Sequence, residues 1–203
     1  MGEMIRIART DEIINHWILT ASCILLIVTG YGFLFQITQV GALFGGFHGM
    51  RTAHNWSGVV FIMSLLATMS SYLRESLTFD KDDWDWIRMA GGYLTRDKSV
   101  KVPPMGKLNS GQKMLYLGFL TAGIGIAASG FAIWLVKDVR TLTMVSHLVH
   151  NLAFSFFIVA VPVHTYMATL ANPGIFRIMV YGTVPIEFAR KKFPKWMKEI
   201  GKM

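Results

Sequence analysis

"HNLAFSFFIVAVPVH", residues His150 to His164, decides how this chain is read. Apart from Asn151, Ser155 and the two terminal histidines it is apolar throughout, the character of a membrane span. At about 1.5 Å of rise and about 100° of turn per residue, the two imidazoles lie roughly 21 Å apart along a helix and only about 40° apart around it. Two titratable rings on one face of a span call for a reason, because an unpartnered polar group in lipid is costly.

The surrounding chain supports the membrane reading. Its 203 residues are 53% hydrophobic and only 16% charged, and its mean hydropathy is +0.43. A soluble domain carries about 25% charged residues. Segments free of Asp, Glu, Lys and Arg run over Ile13–Met50, Thr52–Leu73, Met114–Val136 and Thr141–Phe176. Each exceeds the roughly 20 residues that cross a hydrocarbon core of about 30 Å. The first and last exceed one helix, and their Gly- and Pro-bearing stretches, GALFGGFHG and NPG, should end it. The predicted fold is therefore an all-α integral membrane four-helix bundle, a single domain over 1–203, with spans about 13–36, 52–73, 112–136 and 144–170 and a basic tail over 174–203. The first span is too long for the apolar core of a secretory signal, and no small-residue cleavage motif follows it. The single cysteine, Cys23, excludes an internal disulfide, a CxxC metal site and the CxxCH of covalent haem, and is expected to be a small buried hydrophobe.

Charge sets the expected orientation. Of the basic residues only Arg51, Lys137 and Arg140 flank one side, while the N-terminal segment, the 74–113 loop and the tail hold the rest. The positive-inside rule places both termini and that loop in the cytoplasm. The net charge of +8 then reflects basic flanks meeting anionic lipid and not a nucleic-acid surface. Trp84, Trp86 and Tyr93 of the loop are expected to anchor it at the interface.

With that orientation the histidines sort by depth. His16, early in an outward span, and His164, late in an inward one, lie toward the cytoplasm. His54 and His150, each early in an inward span, lie toward the outside. Two imidazoles from different helices at one depth are what bis-histidine haem ligation needs, and two such levels would form an electron wire across the bilayer. His147 competes with His150, since it shares that helix face; His48 reads as a solvated residue of a Gly-rich loop. Gly30 and Gly58 suit either a macrocycle or close helix packing. Gly118, Ala122, Gly123, Gly125, Ala127 and Ala128 make the third span, which has no histidine, a packing wall of the bundle. Arg51, three residues before His54, faces the same side and suits either a haem propionate or the interface.

The run before "NHW", the histidine spacing of the last span, "KLNSGQKM" before the third span and the tail "GIFRIMVYGTVPIEFARKKFPKWMKEI" together resemble the gamma, or cytochrome b, subunit of membrane-bound respiratory formate dehydrogenases. The resemblance covers nearly the whole chain. It implies a multi-pass protein of the bacterial cytoplasmic (inner) membrane with two b haems, ligated by His16 with His164 and by His54 with His150. It implies an iron–sulfur beta subunit as electron donor, docked on the periplasmic side and fed by a molybdenum or tungsten catalytic alpha subunit, and leaves a higher oligomer of the complex open. The 37–50 and 137–143 loops, with Phe44 and Phe47, would meet that donor. The resemblance also implies reduction of a quinone, menaquinone or ubiquinone, beside the inner haem at Asn109 and Gln112, with His164 as a further donor. Amides suit both redox states of a quinone, and Ser110 and Gly111 between them would let the ring approach the backbone; Asn109 equally suits a helix cap.

Two other functions fit parts of the pattern. One is the cytochrome b subunit of a hydrogenase or sulfur-compound reductase. The other is a haem-free proton or ion pathway, which the absence of acidic residues from the spans disfavours. With no nucleophile, acid–base pair or phosphate loop, the chain is not expected to oxidise a soluble substrate itself.

Overall fold

The computed structural model describes residues 2–92, 101–136 and 138–203; Tyr93 of the expected anchor, and Arg96, Lys98 and Lys137 of the charge argument, lie outside them. Four long helices, α1 (Thr10–Leu34), α3 (Phe47–Leu77), α5 (Ser110–Leu135) and α6 (Arg140–Thr169), are long and apolar enough to cross a membrane. They match the four expected spans, each starting two to five residues earlier. In each, only 17% of the most apolar window is buried in the bundle. The remaining apolar side chains, Ile24, Met63, Ile124 and Val159 among them, face outward, as lipid-facing helices require.

Short elements connect them: α2 (Thr38–Ala42) before α3, and α4 (Lys81–Arg88) before α5. Gly45 and Gly46 take positive φ of 74° and 104° and turn the chain into α3. That helix begins at Phe47, so His48 is an exposed residue of its first turn and not of a loop. Phe44 and Phe47, expected to meet the donor, are half-buried, with Phe47 packed against Phe33 at 6.5 Å between ring centres. Leu43 and Phe35 are among the exposed apolar residues at this end.

Packing is uneven around the bundle. α1 lies along α3, α5 lies along α6, and α3 joins the halves through α5, whereas α6 approaches α1 sparsely and α3 hardly at all. The small residues of α5 act as expected. A Cβ at Gly118 would sit 2.9 Å from the Phe156 ring, and one at Gly123 would sit 2.3 Å from Leu65 Cδ2. Gly30 likewise packs on Phe154, at 3.0 Å, whereas Gly58 faces open space. Cys23 is half-buried beside the Phe61–Leu65–Phe157 cluster. Hydroxyls within the spans bond back to their own helix, as Thr29 Oγ1 does to the Leu25 carbonyl at 2.7 Å.

The tail is folded onto the start of the chain. β1 (Met4–Arg6) pairs antiparallel with β2 (Thr183–Pro185), flanked by α7 (Ile178–Tyr181), α8 (Ile186–Lys192) and α9 (Pro194–Glu199). Ile5, Ile7, Val184, Ala189, Phe193 and Met197 bury together there. Trp17 Nε1 donates to the Met179 carbonyl at 2.7 Å and ties this cluster to α1. The turn into β2 depends on Gly182, at φ +72°, where a Cβ would lie 2.6 Å from the Ala8 carbonyl oxygen. Gly182→Ala should destabilise this unit by about 1–2 kcal/mol or more. A lowered melting temperature in detergent and faster proteolysis of the tail are expected, with Gly2→Ala, which meets nothing, as the unchanged control.

Candidate functional site

The four histidines meet in two pairs. His16 of α1 faces His164 of α6 with ring centres 6.4 Å apart. His54 of α3 faces His150 of α6 at 6.3 Å. Both pairs bridge the faces where α6 stands away from α1 and α3. His147 is exposed, so the geometry pairs His150 with His54.

The His54–His150 pair has its second nitrogens arranged. His54 Nδ1 lies 2.7 Å from Thr29 Oγ1, whose own hydrogen goes to the Leu25 carbonyl. The hydroxyl is therefore placed to accept, and His54 Nδ1–H to donate. His150 Nδ1 lies 3.1 Å from the Ile126 carbonyl, which can only accept, and 3.2 Å from Ser129 Oγ. Both rings thus carry hydrogen on Nδ1 and keep the Nε2 lone pair, the tautomer that a metal-ligating histidine uses. The His16–His164 pair differs. His16 Nδ1 is buried without a partner, and Phe119 and Trp17 pack edge-on against His164 and His16.

These residues fit a haem. A first-row metal holds an imidazole nitrogen at about 2.0 Å, and the ring centre lies about 1.2 Å behind that nitrogen, so opposed rings on one metal have centres about 6.4 Å apart. Both pairs stand at that separation. The sparse contact of α6 with α1 and α3, and the open space at Gly58 four residues after His54, suit a flat apolar group between helices. An unpartnered buried ring nitrogen, as at His16, costs about 1–3 kcal/mol unless something engages that ring.

Sequence reading missed Thr29, Ser129 and the Ile126 carbonyl. Their one signal is a hydroxyl followed by glycine, Thr29–Gly30 and Ser129–Gly130, near the same end of two spans. At Gly130 a Cβ would lie 3.2 Å from His150 Cε1. Helix α5 is a packing wall, and it also supplies the group that orients His150.

Asn109 and Gln112 form a capping box at the start of α5. Asn109 Oδ1 accepts from Gln112 N–H at 2.8 Å, and Gln112 Oε1 from Asn109 N–H at 2.9 Å. Their side-chain oxygens are therefore engaged, leaving the NH2 groups as donors. Ser110 is buried and donates to Asp83 Oδ1 at 2.7 Å, so it does not line an opening for a ring. Gly111 is covered by the Trp86 ring, 2.7 Å from where a Cβ would be. Trp86 thus packs on α5, whereas Trp84 is exposed as an interfacial anchor would be. Burial disfavours the Asp83 carboxylate, but its bonds to Lys113 Nζ (2.7 Å) and Ser110 prevail and hold it below the usual carboxylate range. Arg51 is exposed one turn before His54 and makes no ion pair among the described residues.

Residues 10–182 match the family described as prokaryotic cytochrome b561. The chain is 29% identical over 196 residues to the formate dehydrogenase cytochrome b556(fdo) subunit of Escherichia coli K12, covering 94% of this chain and 90% of that protein. It is 27% identical to the nitrate-inducible formate dehydrogenase cytochrome b556(Fdn) subunit of the same strain, covering 92% and 87%. A formate dehydrogenase cytochrome b556 subunit of Haemophilus influenzae is 24% identical, covering 94% and 81%. The paired histidines sit in a four-helix frame that this match spans from end to end, and the chain belongs to the prokaryotic cytochrome b561 family.

Proposed function

We propose that this chain is the di-haem membrane subunit of a formate dehydrogenase complex, passing electrons from an iron–sulfur subunit to quinone. The observation that carries the proposal is the pair of histidine couples at two levels, each with the ring separation of bis-imidazole ligation. Haem b bound between each couple supplies one-electron oxidation and reduction at its iron. His54 with His150 hold the outer group and His16 with His164 the inner one. Thr29 and the Ile126 carbonyl keep the outer rings in the ligating tautomer, and Arg51 supplies a cation toward the outer propionates. Both termini lie in the cytoplasm of a bacterium whose inner membrane the bundle spans, so the outer end faces the donor subunit. Exposed Leu43 and Phe35 offer apolar contact there. A molybdenum or tungsten subunit oxidises formate. Quinone binds at the inner end, where the amide NH2 groups of Asn109 and Gln112 and a ring N–H of His164 reach its carbonyls.

Haem content tests the proposal. The parent should show a b-type spectrum with two haems per chain. His54→Ala or His150→Ala should lose the outer haem, His16→Ala or His164→Ala the inner one, and His147→Ala neither. A parent without bound haem ends the reading.

Thr29→Val removes the acceptor of His54 Nδ1–H. Loss of such a partner typically weakens metal affinity about 10–100-fold. One haem should fall in occupancy or shift in midpoint potential, while the inner haem stays at its parental value in the same redox titration.

At the quinone end, Asn109→Asp keeps an oxygen to cap α5 but loses the amide donor, and Gln112→Glu does the same. Both should retain two haems yet lose quinone reduction and quinone-analogue affinity. Parental turnover and affinity in both would leave the amides as caps alone.

A further inference from the structure

Three helices share one spacing. His150 and His164 are fourteen residues apart on α6, and so are Asn15 and Thr29 on α1, and His54 and Thr68 on α3. Fourteen residues make a step of about 21 Å along a helix and about 40° around it. Thr29 Oγ1 of α1 meets His54 Nδ1 of α3 at 2.7 Å. One step away on both helices, Asn15 Nδ2 donates to Thr68 Oγ1 at 2.8 Å and to the Ser64 carbonyl at 2.9 Å. The contact between α1 and α3 thus carries one polar tie at each histidine level. Between the ties it is apolar, with Leu19, Cys23 and Leu26 packed against Phe61 and Leu65.

The Asn15 tie uses both hydrogens of the amide. Thr68 Oγ1 gives its own hydrogen to the Ser64 carbonyl at 3.0 Å, so the hydroxyl is placed to accept. The next residue of α3 is held from another side, since Tyr116 OH of α5 donates to the Met69 carbonyl at 3.2 Å. At this level α3 is therefore a fixed reference for α1. His16 follows Asn15 and lies about 100° round the helix, so α1 shows the amide to α3 and the imidazole to α6. His16 Nδ1 is buried with no partner among the described residues, in contrast to His54 Nδ1. Where the His16 ring points thus depends on the rotation and height of α1. A slip of one residue would move it by about 1.5 Å and turn it through about 100°, away from His164. Apolar contacts re-form after such a slip. An amide with two fixed acceptors opposes it, because a slipped helix leaves polar groups unpaired inside the bundle, and one such residue is enough to fix the register of packed helices.

We propose that Asn15, acting through Thr68 and Ser64, is the positioning residue for His16: it sets the register of α1 on α3 and so aims that imidazole at His164. The inference rests on the haem-binding function proposed above and says how the His16–His164 site is built. Thr29 does two things at the other level, touching the His54 ring and tying the two helices with the same hydroxyl. At the His16 level the two tasks fall to neighbouring residues. Asn15 makes the tie, and His16 is left free of any bond to α3.

The test uses the assembled complex and two readouts taken haem by haem. The electron paramagnetic resonance signal of a low-spin ferric haem reads the angle between its two axial imidazole planes, which is 49° between His16 and His164. Transfer of haem to added apomyoglobin reads how firmly each is held. Asn15→Leu keeps the size of the side chain and removes both donors. The haem that His16→Ala and His164→Ala remove should then show a shifted or broadened signal and leave about tenfold faster, the low end of what loss of an outer partner costs. The haem of His54 and His150 in the same sample should keep its signal and its rate. Thr68→Val removes one acceptor and leaves the Ser64 carbonyl, so it should give a smaller change in the same direction, and Thr68→Ser none. Asn15→Leu combined with Thr68→Val should be no worse than Asn15→Leu alone, because both cut one tie. Parental signals and rates in Asn15→Leu and Thr68→Val overturn the proposal, as does an equal change at both haems, which would make the tie a general packing contact. If Asn15→Leu fails to assemble, Thr68→Val decides. A parent complex without bound haem would instead refute the proposed function, before any variant is compared.

Discussion

An imidazole in a lipid-embedded bundle has two nitrogens to satisfy, and most of this structure follows from how that is done. At the His54–His150 level the neighbouring helices take Nδ1: a threonine hydroxyl of α1 for His54, and a carbonyl and serine of α5 for His150. The Nε2 lone pairs then remain for something between the rings. α6 lies along α5 and meets α1 and α3 sparsely, through contacts such as Phe154 on Gly30 and Phe157 on Phe61. The glycines of α5 compensate by letting Phe156 and Leu65 approach its backbone. One helix pair is packed tightly so that the other faces can stay apart.

The two levels are not equivalent. The His54 and His150 rings have their tautomer set by groups that belong to the protein. The His16 and His164 rings have no such bonds among the described residues, and His16 Nδ1 is buried with nothing there to meet it. The polar chemistry of the chain is concentrated at the end of the bundle that carries this pair. The capping box of α5, the Asp83–Lys113 pair and the folded tail all lie there. The cluster of β1, β2 and the tail helices also closes this end against the start of α1 through Trp17. The tail is a packed element of the molecule as well as a set of basic charges for the lipid surface.

Helix α4 shows how one residue can serve several structures. Asp83 closes the capping box of its own helix with Asp80, accepts from Ser110 and pairs with Lys113. Trp86 of the same helix packs on Gly111 of α5 and lines two cavities, one walled by charged side chains and one apolar.

The amino-acid sequence by itself determined the four spans, because the absence of charge over some twenty residues admits few structures other than a helix across a membrane. It determined that His16 and His164 share one depth and that His54 shares another with His150 or His147, because direction of travel and helical rise convert sequence position into depth. It also determined that α5 packs closely, since a run of small side chains serves little else. Sequence could not show that Thr29 and Ser129 orient the histidines, since a lone hydroxyl in a span looks the same whether it bonds only its own helix or a neighbour as well. Nor could it separate His147 from His150, which share a helix face until packing exposes one. The beginnings of the helices, the burial of Ser110, the seat of Trp86 and the folding of the tail were decided only by tertiary structure. Each depends on contacts between residues distant in sequence, such as Asp83 with Lys113 or Ala8 with Gly182, and such contacts leave no periodic trace in the chain.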